Sequence, residues 1–293
     1  MLNILLNKIG SYQSKILLLF KYTWAVIFLL LAGKISSLIT SAFNLYLTGT
    51  VFIITLSLPL GYLLGIFIWR LYYKAECNIC GWQGKSFLNQ DAGCGRIIKK
   101  SICASCESHS RHRLMFIYLN KIIPKNKIIK ILHVSPELSL QKFIQARNNS
   151  DYLSIDIDPS MAMQAENLEK MSFSDNQFDL IICSHVLEHV KNDKLAIAEI
   201  FRVTKKNGIA IISVPIDIHR AETYEDENIK SPEDRTKHFW YQDHLRLYGL
   251  DFPNKLGSAG FKVNTHYSDR ELRKRFMKLH GLVKGQIYFC YKL

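Results

Sequence analysis

From residue 127 to the end of the chain, short apolar runs alternate with segments of helical pattern. The runs IIKILHVS, FDLIICSH and NGIAIISVP are rich in Ile, Leu and Val, which is typical of strands buried on both faces of a parallel sheet. Segments such as SLQKFIQAR and KNDKLAIAEIFRVTK have a helical pattern. The alternation predicts an α/β fold with a Rossmann-like doubly wound sheet, whose ligands lie at the carboxyl ends of the strands.

One stretch within this region carries a more specific pattern. The run MSFSDNQFDLIICSHVLEHVKNDKLAIAEIFRVTKKNGIAIISVP contains Phe173, the pair Phe178 and Asp179 at the start of a strand, LEH at 187–189 and RVTKKNG at 202–208. This pattern resembles the core of class I S-adenosylmethionine-dependent methyltransferases of type 11. The whole chain also resembles a subgroup of these proteins that places a four-cysteine ribbon before the domain.

The resemblance spans about residues 128–293 and implies S-adenosylmethionine as the cofactor. Asp156, at the end of the predicted strand DYLSIDID, corresponds to the acid that accepts hydrogen bonds from the ribose hydroxyls, with Asp158 as the alternative. Asn167 corresponds to the residue that contacts the adenine amine, and Leu168 would pack on the adenine. The cofactor contacts implied by the resemblance are His133, Ser135, Glu137, Asp156, Asn167, Leu168 and Ser184.

The first loop of this domain, LHVSPE, has no glycine. The acidic residue and glycines of the family loop fall on His133, Ser135 and Glu137. Ser135 is small, but it adopts positive φ less freely than glycine. S-adenosylmethionine has a zwitterionic amino-acid end and no pyrophosphate, so Glu137 or His133 would meet its ammonium group. The missing glycines therefore argue against NAD more than against S-adenosylmethionine.

Methyl transfer is an in-line displacement in which positioning does much of the work, sometimes with a base for the acceptor. The candidate bases are His185, at the end of the strand FDLIICSH, and Asp243 and His244 in a charged, aromatic insert at about 216–248. This insert follows the strand NGIAIISVP, after which the family places acceptor-binding elements, and it would form a lid.

Two further interpretations of nearby residues stay open. Glu188 and His189 begin a helix, so a capping or packing role competes with a catalytic one. His238 and His244, together with acidic residues, are also compatible with a zinc site, but their spacing is not diagnostic.

Four cysteines precede the α/β region in two C-x2-C pairs separated by 22 residues, Cys77 with Cys80 and Cys103 with Cys106. Each tight turn would present two sulfurs to one metal, and two turns would complete a tetrahedron with no open position. A structural zinc is expected. Unligated thiols and an iron–sulfur cluster are the alternatives, and Cys94 lies in the intervening loop as a possible substitute ligand.

The first part of the chain has a membrane-like composition, with no acidic residue before Glu76 and no charge from Ile35 to Trp69. Since about 20 apolar residues cross a bilayer, two spans are expected at about 15–33 and 47–69. An interfacial helix is the alternative for the first. The positive-inside rule places the remainder in the cytoplasm. The lipid bilayer is thus an expected partner, and the expected localisation is a multi-pass membrane protein.

These features predict three segments: a transmembrane hairpin at 1–74, a zinc ribbon at 75–110 and a class I methyltransferase domain at 111–293. The predicted function is a membrane-anchored methyltransferase with an unidentified acceptor at the cytoplasmic face. An envelope glycan or lipid-linked intermediate is the acceptor suggested by that location. The alternatives are a non-catalytic methyltransferase-like scaffold and a zinc-dependent nucleic-acid-binding protein. The net charge of +13 suits nucleic acid, but the two spans argue against such a partner.

Overall fold

The structure is a computed structural model that describes residues 27, 29–32, 57, 59–67, 71–91, 97–147 and 150–293. The chain divides into two compact units. One comprises Met1–Ala75 and Gln83–Ser86, and the other comprises Glu76–Trp82 and Phe87–Leu293. In the first unit, the described residues 29–32 and 59–67 are helical. The sites described below lie in the second unit.

Thirteen strands are described. They are β1 (Ala75–Glu76), β2 (Gln83–Gly84), β3 (Leu88–Asp91), β4 (Ile97–Ile102), β5 (Ile129–Val134), β6 (Ser150–Asp156), β7 (Gln164–Ala165), β8 (Phe178–Ser184), β9 (Thr204–Ser213), β10 (Tyr224–Glu225), β11 (Arg246–Leu247), β12 (Lys262–Tyr267) and β13 (Gln286–Tyr291). The helices described in the second unit are α1 (Ser110–Ile122), α2 (Leu138–Gln145), α3 (Asp193–Val203), α4 (Pro232–Phe239), α5 (Phe252–Ser258), α6 (Ser268–Glu271) and α7 (Lys274–Leu279).

Seven strands form the central sheet in the order β12-β13-β9-β8-β5-β6-β7. Strands β9, β8, β5, β6 and β7 pair in parallel. Strand β13 pairs antiparallel with both β9 and β12, so it runs against the other six. The sequence prediction of an α/β fold with a mostly parallel, doubly wound sheet is confirmed.

The sheet is covered on both faces because successive strand residues point to opposite sides. In β5, Leu132 belongs to a core cluster with Ile200 of α3 and Leu256 of α5. Its neighbour Ile131 belongs to a second cluster with Leu119 of α1 and other residues of α1 and α2. Full burial of each such side chain contributes on the order of 2 kcal/mol. Helix α1, which follows the ribbon, is therefore part of the core of the domain.

The predicted membrane localisation is contradicted. In the part of the chain that the structure describes, no helix is long and apolar enough to cross a bilayer. Most residues of the two expected spans, 15–33 and 47–69, lie outside the described residues. The expectation relied on hydropathy and charge alone, and neither the helical hairpin nor the bilayer as a partner has structural support.

Candidate functional site

The four predicted metal ligands come together in the ribbon. The sulfurs of Cys77 and Cys106 lie 3.7 Å apart, as do those of Cys80 and Cys103, and all four lie within 4.8 Å of one another. For a zinc–sulfur bond of about 2.3 Å, a tetrahedron has edges of about 3.8 Å. The donor set therefore fits a structural zinc. Cys94 lies outside the described residues.

Two matching turns present these sulfurs. The backbone nitrogen of Gly81 donates to the carbonyl of Cys77 at 2.9 Å, and that of Glu107 donates to the carbonyl of Cys103 at 3.0 Å. Both Gly81 and Glu107 adopt positive φ, at 73° and 57°. Glycine suits this conformation at Gly81, whereas the sequence gives no sign of it at Glu107, because a glutamate rarely adopts a left-handed conformation.

The basic residues that follow the ribbon are directed into the protein. Arg113 is fully buried. Its guanidinium donates to the carbonyls of Ser101 at 2.8 Å, His280 at 2.8 Å and Gly281 at 2.9 Å, and also to the carbonyl of Ser108. Arg113 thus ties the ribbon to the C-terminal part of the domain and offers no charge to a nucleic-acid backbone.

At the carboxyl end of the sheet, Ser135 and Asp156 meet. The hydroxyl of Ser135 donates to Asp156 Oδ2 at 2.6 Å, and the backbone nitrogen of Asp158 donates to Asp156 Oδ1 at 2.9 Å. Ser135 takes a φ of 49°, in the left-handed region that favours glycine. The glycine-free loop therefore adopts a glycine-like backbone and also positions the candidate ribose acid.

Glu137 is held by the fully buried His133. One ring nitrogen of His133 lies 2.9 Å from Glu137 Oε2 and the other lies 3.0 Å from the hydroxyl of Tyr152. Burial acts to raise the pKa of Glu137, but the hydrogen bond and charge of His133 outweigh it and lower the pKa to about 2. Since both ring nitrogens of His133 are engaged, its role in this geometry is to orient Glu137.

The other oxygen of Glu137 is not satisfied. Within the described residues, Glu137 Oε1 is buried and has no hydrogen-bond partner. His112 of α1 is its neighbour, with Nε2 at 3.5 Å, and burial lowers the pKa of His112 to about 3. A buried carboxylate oxygen without a partner is costly, and an ammonium group would satisfy it. Sequence reasoning missed His112, which lies 25 positions before Glu137.

His185 and Glu188 form a second pair just past β8. His185 Nδ1 lies 3.2 Å from Glu188 Oε1, and His185 takes a positive φ of 55°. Residues held in such conformations cluster at functional sites. Burial acts to raise the pKa of Glu188, but His185 and His189 outweigh it and lower the pKa, so the carboxylate is charged at neutral pH.

The insert brings its own side chains to this pair. His244 is buried, and its Nδ1 lies 2.8 Å from the carbonyl of Phe239. Asp243 Oδ2 lies 3.3 Å from Nδ1 of His189. The structure therefore brings the three candidate bases, His185, Asp243 and His244, to Glu188 and His189. His238 is exposed and pairs with the hydroxyl of Tyr224 at 3.1 Å.

Of the remaining predicted cofactor contacts, Ser184 interacts with Glu137 and helps to lower its pKa, whereas Asn167 and Leu168 lie elsewhere. Asn167 is exposed, and its side-chain oxygen accepts a hydrogen bond from the backbone nitrogen of Glu169 at 2.9 Å. Leu168 is buried in the core cluster of the sheet. Ser184 is buried, and its hydroxyl accepts a hydrogen bond from Ser213 at 3.3 Å.

The mostly parallel seven-stranded sheet, with an acid at the end of β6, is consistent with the resemblance seen in the sequence. In agreement, residues 129–212 match the family model described as a methyltransferase domain. The resemblance recognised in the sequence is thereby confirmed, together with the four-cysteine cluster that precedes the domain.

The chain is also similar to ubiquinone biosynthesis O-methyltransferases of two Rickettsia bellii strains. Each is 32% identical over 125 residues, covering 35% of this chain and 51% of the relative. The chain therefore matches about half the length of these curated relatives. These matches and the methyltransferase domain support the predicted S-adenosylmethionine-dependent methyltransferase.

The comparison with solved structures gives matches at low identity. A Mesorhizobium loti S-adenosylmethionine-dependent methyltransferase is 13% identical with a TM-score of 0.43, over 60% of this chain and 95% of that one. Haemonchus contortus phosphoethanolamine N-methyltransferase 2, solved with S-adenosyl-L-methionine, is 12% identical with a TM-score of 0.42, over 60% of this chain and 51% of that one.

Proposed function

We propose that this chain transfers a methyl group from S-adenosylmethionine to an acceptor hydroxyl. The observation that carries the proposal is the pair of carboxylates at the strand ends. Asp156, at the end of β6, is the proposed ribose ligand, and the buried Glu137 has one oxygen without a partner in the described structure. The cofactor carries hydroxyls and an ammonium that match these two groups. When bound, it supplies an electrophilic methyl group on a sulfonium.

The contacts of Asp156 and Glu137 within the chain support their proposed roles in binding the cofactor. Asp156 accepts hydrogen bonds from the ribose, with its carboxylate oriented by Ser135 and by the backbone of Asp158. Glu137, oriented by His133, meets the ammonium. Asn167 and Leu168 contribute to the adenine side. Of these two, Leu168 is in the core, so it would shape the pocket floor while Asn167 lies at the surface.

The residue proposed as the base is His185. Its Nδ1 faces the charged Glu188 at 3.2 Å, which leaves Nε2 to accept a proton from an acceptor hydroxyl. Glu188 would stabilise the imidazolium that forms, as the third member of a catalytic triad does. The side chain of His185 is 27% exposed, so the acceptor can reach it.

The acceptor class follows from the relatives. An envelope glycan or lipid-linked acceptor was inferred from a membrane location that has no support. The relatives from Rickettsia bellii are named as O-methyltransferases, and a histidine base suits a hydroxyl of low pKa. A phenolic hydroxyl is therefore the acceptor that we propose. A structural zinc in the ribbon completes the proposed assembly.

The test uses the full chain with radiolabelled S-adenosylmethionine and a panel of phenols and catechols. We expect label in an ether product. In His185→Gln, methyl transfer should fall at least about 100-fold while cofactor affinity changes little, because a general base contributes about that factor. Cofactor binding without transfer to any acceptor of the panel would favour the scaffold alternative, and loss of cofactor binding in His185→Gln would contradict the assigned role.

A further inference from the structure

A cluster of potential metal ligands lies apart from the ribbon. Glu188, His189 and His244 each offer one ligand atom, and these atoms lie within 4.8 Å of one another. Two of the residues follow β8, and the third belongs to the insert after β9. The two imidazole rings are 4.8 Å apart between centroids and are nearly perpendicular, at 81°.

Both histidines have the same ring nitrogen engaged. Nδ1 of His189 lies 3.3 Å from the carboxylate of Asp243, and Nδ1 of His244 lies 2.8 Å from the carbonyl of Phe239. An acceptor at Nδ1 fixes the proton there and leaves Nε2 as a free lone pair. Histidines that bind metals almost always have such a partner on the other ring nitrogen.

Glu188 supplies the second, independent observation. It is 1% exposed. Within the described part of the chain Oε2 has no hydrogen-bond partner, and the contact of Oε1 is His185 Nδ1 at 3.2 Å. A buried carboxylate oxygen without a partner is costly unless a cation compensates it.

The backbone holds the two segments in register without a metal. The nitrogen of Leu245 donates to the carbonyl of Glu188 at 2.8 Å. The buried guanidinium of Arg246 donates to the carbonyls of Leu187 at 2.8 Å and Val190 at 2.6 Å. The ligands are therefore fixed by contacts that do not use their own side chains, as a preorganised site requires.

We propose that Glu188, His189 and His244 bind a divalent transition metal, with Zn²⁺ as the best match. Two imidazoles and one carboxylate are a typical ligand set of catalytic zinc, and they leave a fourth position open. His238, considered from the sequence alone as a partner of His244, takes no part, because it pairs with Tyr224 instead.

The open position would take an oxygen ligand. If the acceptor is a hydroxyl, coordination there would lower its pKa and favour removal of its proton by His185. This role rests on the proposed function, whereas binding of the metal does not. The test below therefore uses neither S-adenosylmethionine nor acceptor, so its failure is separate from failure of methyl transfer.

Zinc is counted by elemental analysis on the full chain after equilibration with Zn²⁺ and removal of loosely bound metal. We expect about two zinc ions per chain, one in the ribbon. Glu188→Gln should hold about one. His238→Gln, a change to a histidine of the same insert, should hold about two. One zinc per wild-type chain, or two in Glu188→Gln, would overturn the proposal.

A second measurement tests the site without a variant, in case the Glu188→Gln chain does not fold. Wild-type protein is titrated with Co²⁺ in place of Zn²⁺ and its absorption is followed. The ribbon gives sulfur-to-cobalt charge-transfer bands, and the proposed site adds a second equivalent with weak ligand-field bands only, because its donors are nitrogen and oxygen. Saturation after one equivalent, with charge-transfer bands throughout, would refute the site.

Discussion

The hydroxyl of Ser135 donates a 2.6 Å hydrogen bond to the carboxylate of Asp156, across the ends of the neighbouring strands β5 and β6. Ser135 does this from a left-handed backbone with a φ of 49°. Glycine would adopt that backbone more readily, but it has no hydroxyl to position the acid. The loop therefore has a strained backbone at Ser135, and the hydroxyl of this residue fixes the orientation of the Asp156 carboxylate.

This arrangement predicts that glycine is more stabilising than alanine at Ser135 and less stabilising than alanine at Ser139. Ser135→Gly should be more stable than Ser135→Ala by about 1 kcal/mol, because alanine retains the strained φ and glycine relieves it. At Ser139, within α2, the order should reverse by a similar amount, since glycine disfavours helices. Urea unfolding measures both differences. Equal stabilities of the two Ser135 variants would contradict strain at this position.

The pH dependence of stability should report on Glu137. The pKa of Glu137 in the folded chain is lowered to about 2, below its usual unfolded value of about 4.3. A lowered pKa contributes stability that is complete above the unfolded value and is lost as pH falls toward the folded value. The contribution is on the order of 3 kcal/mol.

The measurement compares the unfolding free energy of wild type and Glu137→Gln from pH 7 to the lowest pH at which both fold. Near neutral pH the unfolding free energy of the wild type should exceed that of Glu137→Gln, and the difference should shrink below about pH 4. The same substitution at the exposed Glu227 is the reference. A difference that stays constant with pH would show that the charge of Glu137 contributes nothing to stability.

The hydrogen bonds from Arg113 to backbone carbonyls should dominate the stability of the ribbon. Arg113→Met removes a buried guanidinium that bonds to several backbone carbonyls. Leaving these carbonyls unpaired should cost at least about 3 kcal/mol. Arg275→Met, at an exposed position of α7, should change the unfolding free energy by less than about 0.5 kcal/mol. Similar losses of unfolding free energy in both variants would refute this role of Arg113.

The ribbon cysteines should bind one zinc ion as a unit. Cys103→Ser should lose that ion and lower the melting temperature, because the tetrahedron needs all four thiolates. Cys290→Ser removes another buried cysteine in the same unit, one that lies on β13 away from the ribbon. It should leave the zinc content unchanged. A zinc content in Cys103→Ser equal to that of the wild type would exclude the four-sulfur site.

Much of the fold could be predicted from local patterns. Short runs of Ile, Leu and Val gave β5, β8 and β9, and the spacing of two C-x2-C pairs predicted a common site that the structure assembles. These signals are local because a buried strand or a metal turn needs particular residues at fixed spacing. The membrane prediction was wrong, since hydropathy alone does not establish a spanning helix.

The candidate site was harder to predict because its contacts join distant segments. His112 lies close to Glu137 only because α1 packs on the sheet. Glu188 lies close to His244 only because the insert after β9 returns to the end of β8. No local spacing encodes such contacts. A capping or packing role was one alternative for Glu188 and His189, and only the structure shows that Glu188 is buried with Oε2 unpartnered among the described residues.

The most direct test of the account is calorimetric titration of S-adenosylmethionine into the full chain, beside Asp156→Ala and Asp158→Ala. The account predicts micromolar binding by wild type and at least about tenfold weaker binding by Asp156→Ala, since loss of one charged hydrogen bond costs about 1.5 kcal/mol or more. Asp158→Ala should bind nearly as wild type. A folded wild-type chain that releases no heat of binding at any temperature, or an Asp156→Ala chain that binds equally well, would contradict it.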